Sequence, residues 1–150
     1  MIRSVGSGFV FGLAAVVVFT AAVLLATASA GASITFGLVV VALLGWGAGF
    51  SAARSTRAFR GQGVGRGLAA GITGGTVALI GSVFAGVLFA SLLGQRIDVW
   101  LQRISRFASV DVDFWPYVQG GGVAAGLCLG FVNFLLMAAG GALGGWMWRR

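Results

Sequence analysis

The chain has no histidine, no lysine and no glutamate, and its 150 residues include one cysteine, one proline and three acidic side chains, all aspartate. Each absence removes a class of chemistry. Histidine is the usual axial ligand of haem and the general base poised nearest neutral pH, so haem ligation and histidine-driven hydrolysis lack their working residue. Cys128 has no second thiol to pair with, which excludes an intrachain disulfide and a thiolate metal set; it reads as a small apolar filler. No cofactor and no metal site is expected. Two aspartates, Asp111 and Asp113, flank Val112 and could face one way in an extended segment, but calcium takes six to eight oxygen ligands and only Asp98 is nearby. Favourable charge near the start of the following helix is the plainer reading.

What the chain does contain is long apolar runs. Charged residues make up 9% of it, whereas a soluble domain carries roughly a quarter, and 59% of the residues are hydrophobic. The ten arginines and three aspartates all lie outside three runs, 4–53, 67–95 and 114–148. A bilayer core about 30 Å thick needs roughly 20 apolar residues per helix. The first run therefore holds two spans and the other two hold one each.

The expected fold is an all-α integral membrane protein, a single domain of four transmembrane helices in two hairpins. The spans fall at about 8–28, 34–53, 68–93 and 117–148, with a tight turn at Ser29-Ala30-Gly31-Ala32-Ser33. Arg3, the apolar stretch after it and Ala28-Ser29-Ala30 before Gly31 resemble a secretory signal peptide. The apolar stretch exceeds the usual 7–15 residues, so a retained first span is expected.

Between spans three and four, Ile97, Trp100, Leu101, Ile104 and Phe107 recur at helical spacing, with Asp98, Gln102, Arg103 and Arg106 largely on the other side. This predicts a separate amphipathic helix over about 96–107, lying in the outer interface or serving as a docking surface. Trp100 would anchor it. Trp115 and Tyr117 would mark the same interface, and Trp146 and Trp148 the opposite one. Pro116 suits the first turn of the fourth helix, where its missing N–H costs nothing.

Charge sets the expected orientation. Arg3, Arg54, Arg57, Arg60, Arg66, Arg149 and Arg150 would share one face with no acid among them, while the segment between spans three and four is balanced. The positive-inside rule puts both termini and the 54–66 loop in the cytoplasm of a cell-membrane protein. Arg54, Arg57 and Arg60 would form a stripe on anionic lipid headgroups, worth about 1 kcal/mol each near the surface. No aromatic-rich nucleic-acid module accompanies these arginines, so nucleic acid is not an expected partner. The alternating Gly61, Gly63, Gly65 and Gly67 lack the strand and the Lys-Ser or Lys-Thr of a phosphate loop and read as a hinge into the third helix.

Inside the spans the patterned residues are small. Gly74, Ala78, Ser82, Gly86, Ala90 and Gly94 recur at every fourth position of the third span, predicting a flat ridge for another helix. Gly45, Gly49 and Ala53, then Gly122, Gly126 and Gly130, and Ala22, Ala26 and Ala30 form shorter ridges. Whether the long ridge meets a helix of this chain or of another is open at this point. A match between 5–13 and 64–72, sharing Val, three Gly and a final aliphatic residue, hints at two repeated hairpins.

Asn133 is the one side-chain amide deep in a span and needs a partner, with Thr73, Thr76, Ser82, Thr20 and Ser51 as candidates. Ion-coupled transporters need an ionisable group near the midplane, and these runs have none. The expectation is a non-catalytic protein, an accessory subunit of a membrane complex or a homo-oligomer, whose partners are membrane lipids and other membrane subunits or itself. The alternative is an oligomeric channel or uncoupled facilitator, its path lined by Asn133 and the Ser and Thr residues.

Overall fold

A computed structural model describes residues 2–25, 30–55, 62–108 and 115–148, and the surroundings of side chains at 5–22, 24, 35–55, 62–92 and 119–148. The described residues are almost wholly helical, in four helices: α1 Ile2–Leu25, α2 Ala30–Ser55, α3 Gln62–Ala108 and α4 Trp115–Met147. Each contains a stretch long and apolar enough to cross a membrane: Val5–Ala22, Thr35–Ser55, Gln62–Leu92 and Gln119–Met147.

The helices follow the apolar runs but overshoot the expected spans. Ala30 to Ser33, expected in a turn, belong to α2, and Gly63, Gly65 and Gly67, expected in a hinge, belong to the first turns of α3. Glycine costs a helix about 1 kcal/mol relative to alanine. Close packing supplies that and more at two of these positions, Gly63 and Gly67, which are buried against α4.

The separate interfacial helix over 96–107 does not occur. α3 is one helix of 47 residues, continuous through Gly94 to Ala108. No proline and no paired glycine interrupts 93–108, and its apolar positions keep the helical spacing of the segment before it, so nothing in the sequence ends the helix at the membrane boundary. At 1.5 Å per residue α3 is about 70 Å long, well beyond the 40–45 Å of a bilayer with its headgroups.

Contacts fix the topology. α1 packs antiparallel to α2, with Ala22 beside Gly37 and Phe11 beside Gly47. α3 packs antiparallel to α4, whereas α1 runs parallel to α3 and α2 parallel to α4. α2 also touches α3, and α1 and α4 are not neighbours. The bundle is thus a rhombus with α2 and α3 across its short diagonal. Its centre is largely apolar: Ala15, Val41, Ala78 and Met137 are fully or almost fully buried, with Phe11, Leu44 and Leu136 packed around them. A second cluster of Phe19 and Ala85, backed by Phe89 and Leu129, fills the space toward the C-terminal end of α1. The periphery is apolar, with Phe84, Val17 and Phe36 among its most exposed side chains. Such a surface suits hydrocarbon, and in water it would be an aggregation hazard.

Candidate functional site

Among the described residues no group of His, Cys, Asp or Glu could hold a metal ion. The chemistry available lies in the helix contacts and in one buried polar pair.

The α3–α4 seam is built almost entirely from glycine. From the N-terminal end of α3 onward, Gly63 faces Gly145, Gly67 faces Gly141 and Gly145, Gly71 faces Met137 and Ala138, and Gly75 faces Phe134. Leu79 then faces Gly130, Ser82 faces Gly126 and Gly86 faces Gly122 and Gly126. A methyl group on Gly86 would come 2.9 Å from the Gly126 Cα, and one on Gly126 would come 2.7 Å from the Ser82 carbonyl oxygen. No real side chain fits at such distances. Atom pairs gain only about 0.1–0.2 kcal/mol each from dispersion, so a seam without hydrophobic driving force depends on bringing whole backbones together.

Five of the six residues of the expected ridge, Gly74, Ala78, Ser82, Gly86 and Ala90, make close contacts, but they do not lie on one face. An α-helix turns 100° per residue, so a step of four advances about 40°, and a strict spacing of four winds around the helix. Its inner members leave the seam: Gly74 sits against the Gly8 carbonyl and the Met137 side chain, and Ala78 is in the central core. Ser82, Gly86 and Ala90 do face α4, Ala90 lying against Gly122. The true seam runs 63, 67, 71, 75, 79, 82, 86, where the single step of three from Leu79 to Ser82 turns the drift back. Gly94 lies within α3, and its surroundings are outside the described residues. The described part of the ridge, from Gly74 to Ala90, is therefore filled from within the chain.

The shorter ridges of α2 and α4 also close inside the bundle, and Ala22 lies against Gly37, while Ala26 and the surroundings of Ala30 lie outside the described residues. Gly45 faces Met137, where a methyl would stand 2.8 Å from the Met137 Cα, and Gly49 faces Gly141. Gly122, Gly126 and Gly130 all face α3. Other glycines that approach a neighbouring backbone, among them Gly8, Gly12, Gly63, Gly67, Gly71, Gly75, Gly140, Gly141, Gly144 and Gly145, are not in the small-residue ridges of the sequence. Gly140 and Gly144 seat the backbone of α2 between Ala42 and Phe50, while Gly141 and Gly145, one residue on, seat α3. The doublets Gly140-Gly141 and Gly144-Gly145 thus present two adjacent glycine faces to two helices. Their spacing of four was the signal that could have revealed them.

The repeated segments carry equivalent glycines to different neighbours. Gly8 and Gly12 approach Ala70 and Gly74 of α3, whereas their counterparts Gly67 and Gly71 approach α4.

Asn133 is completely buried, and of the five candidate partners the structure selects Ser82. Its Nδ2 donates to Ser82 Oγ at 3.1 Å, and Ser82 Oγ in turn donates to the Ala78 carbonyl at 2.8 Å. Asn133 Oδ1 is buried with no donor. Thr73 and Thr76 donate back to carbonyls of their own helix, at Ala69 and Ile72, and so does Ser91 at Val87.

At the arginine-bearing ends of the helices, Arg54 is exposed in the last turn of α2, and Arg66 Nη2 donates to Gln62 Oε1 at 2.9 Å. Arg57 and Arg60, the rest of the headgroup stripe, lie outside the described residues. Trp146 is exposed, and Trp148 meets Phe50 edge-on at 5.2 Å, with Phe50 stacked on Trp46 at 5.8 Å. Trp100, Trp115 and Tyr117 are in helices, but their side chains lie outside the described residues.

Comparisons with protein-family models, with curated proteins and with solved structures find no match to this chain.

Proposed function

We propose that this chain is a non-catalytic, multi-pass protein of the cell membrane, both termini cytoplasmic, that works as a packing subunit in a homo-oligomer or a larger membrane complex. The observation that carries the reading is the outer half of α4. There Gly120, Gly121, Ala124, Ala125 and Cys128 are all exposed, and a methyl group on Gly120 or Gly121 would meet nothing within 4 Å. Most other described glycines are spent on close contacts inside the chain. The periphery elsewhere carries Val, Leu, Ile and Phe, side chains that fill space against lipid. A run of small side chains instead leaves room for a second backbone, and close backbone approach is what drives helix association in a bilayer.

The orientation rests on the unopposed arginines at 3, 54, 57, 60, 66, 149 and 150, by the positive-inside rule. The exposed Arg54, with Arg57 and Arg60, would then lie at anionic headgroups.

Cys128 stands on the small-residue face and supplies the test. A short bifunctional thiol reagent applied to native membranes should trap a product of twice the chain's mass, or one that includes a second membrane protein. Unmodified monomer as the sole product, with Cys128 fully reactive to a small maleimide, would count against the reading.

A further inference from the structure

We propose that Asn133 is a register lock for the α3–α4 seam. A seam of glycines is permissive by construction, because any level with a glycine on one side accepts whatever the other side brings. If α4 slid by one turn, Gly63 would face Gly141, Gly67 would face Met137, Gly71 would face Phe134 and Gly75 would face Gly130. Leu79 would face Gly126, and Ser82 would face Gly122. Each level would still hold a glycine, so packing alone discriminates poorly between the two registers. The native pairing already seats the Phe134 side chain on Gly75 and the Met137 side chain on Gly74, with the Met137 backbone on Gly71, so glycines of α3 receive both large side chains here.

The polar pair is not permissive. In the native register Asn133 Nδ2 reaches Ser82 Oγ, and one turn of slip would bring Asn133 to the level of Ala78, whose side chain accepts nothing. The whole amide would then be stranded in an apolar core beside Val41 and Met137. A single buried amide is a recognised way of fixing the register of packed helices at some cost in stability. That cost is visible here: Asn133 Oδ1 is buried without a donor, so the amide is half-satisfied even in the register it selects.

The test measures register directly. Val64 and Cys128 are both exposed and lie on α3 and α4 respectively. In the native register their levels differ by 16 residues, about 24 Å along the axis, and one turn of slip reduces this by about 6 Å. Nitroxide labels on Val64→Cys and native Cys128, in lipid vesicles and diluted with unlabelled chain, should give one distance by pulsed electron spin resonance. With Asn133→Leu, and separately with Ser82→Ala, a second population should appear, shorter by about 6 Å along the axis. A single unchanged distance in both variants would overturn the proposal. So would loss of any defined distance in both, since the pair would then hold the fold together without choosing its register.

Discussion

Asn133 Nδ2 and Ser82 Oγ meet at 3.1 Å in the core between α4 and α3, while Asn133 Oδ1 has no donor. This imbalance makes the two sides of the bond unequal under mutation. Ser82→Ala leaves the entire amide buried without a partner, and an unsatisfied buried group costs about 1–3 kcal/mol. Asn133→Leu removes the lost donor and the orphan acceptor together at similar volume, and Ser82 keeps its own bond to the Ala78 carbonyl. Ser82→Ala should therefore destabilise the bundle by about 1–2 kcal/mol, and Asn133→Leu by less than about 1 kcal/mol. Unfolding in mixed detergent micelles would read both; equal losses would show that the orphan acceptor has no energetic weight.

Glycines of the seam and glycines of the surface should respond oppositely to the same change. Gly86→Leu forces a side chain into the Gly122–Gly126 backbone and should cost about 3 kcal/mol or more within the single chain. Gly120→Leu enters open space and should change monomer stability by less than about 0.5 kcal/mol. The readout is thermal unfolding of the solubilised monomer, which separates folding from association.

Met137 is fully buried at the point where α2, α3 and α4 converge, with Gly45 and Gly71 against its backbone and Gly74 against its side chain. Met137→Ala should lower stability by about 2–5 kcal/mol through the cavity it leaves. Met137→Leu, close in volume, should cost less than about 1.5 kcal/mol. A matching loss for both would mean that side-chain shape, and not volume, decides the fit.

The four helices and the importance of Asn133 were legible in the sequence for simple reasons. Charge avoids hydrocarbon, and an amide in hydrocarbon needs a partner. The ridge at 74–94 was legible only as a set of permissive residues. Glycine says that a backbone can come close, and not which one does, so the sequence left its partner open. The drift of about 40° per step, which follows from helix geometry alone, splits the ridge between two faces. The helix from 62 to 108 was harder to foresee, because hydropathy marks where a span leaves the membrane, whereas only a breaker ends a helix. Residues 93–108 contain Gly94 alone.

Contacts within the chain fill the internal faces of this bundle, and the proposed function places a further helix on the half of α4 that carries Gly120 to Cys128. The mass of the complex extracted from its own membrane in mild detergent, by native mass spectrometry, tests it most directly when wild type and Ala125→Trp are measured side by side. Ala125 is exposed, so tryptophan there leaves the internal packing untouched while blocking close approach. The prediction is an oligomer or a complex with a second membrane protein for the wild type, and a folded monomer for Ala125→Trp. A wild-type chain that emerges as a lone monomer would contradict it.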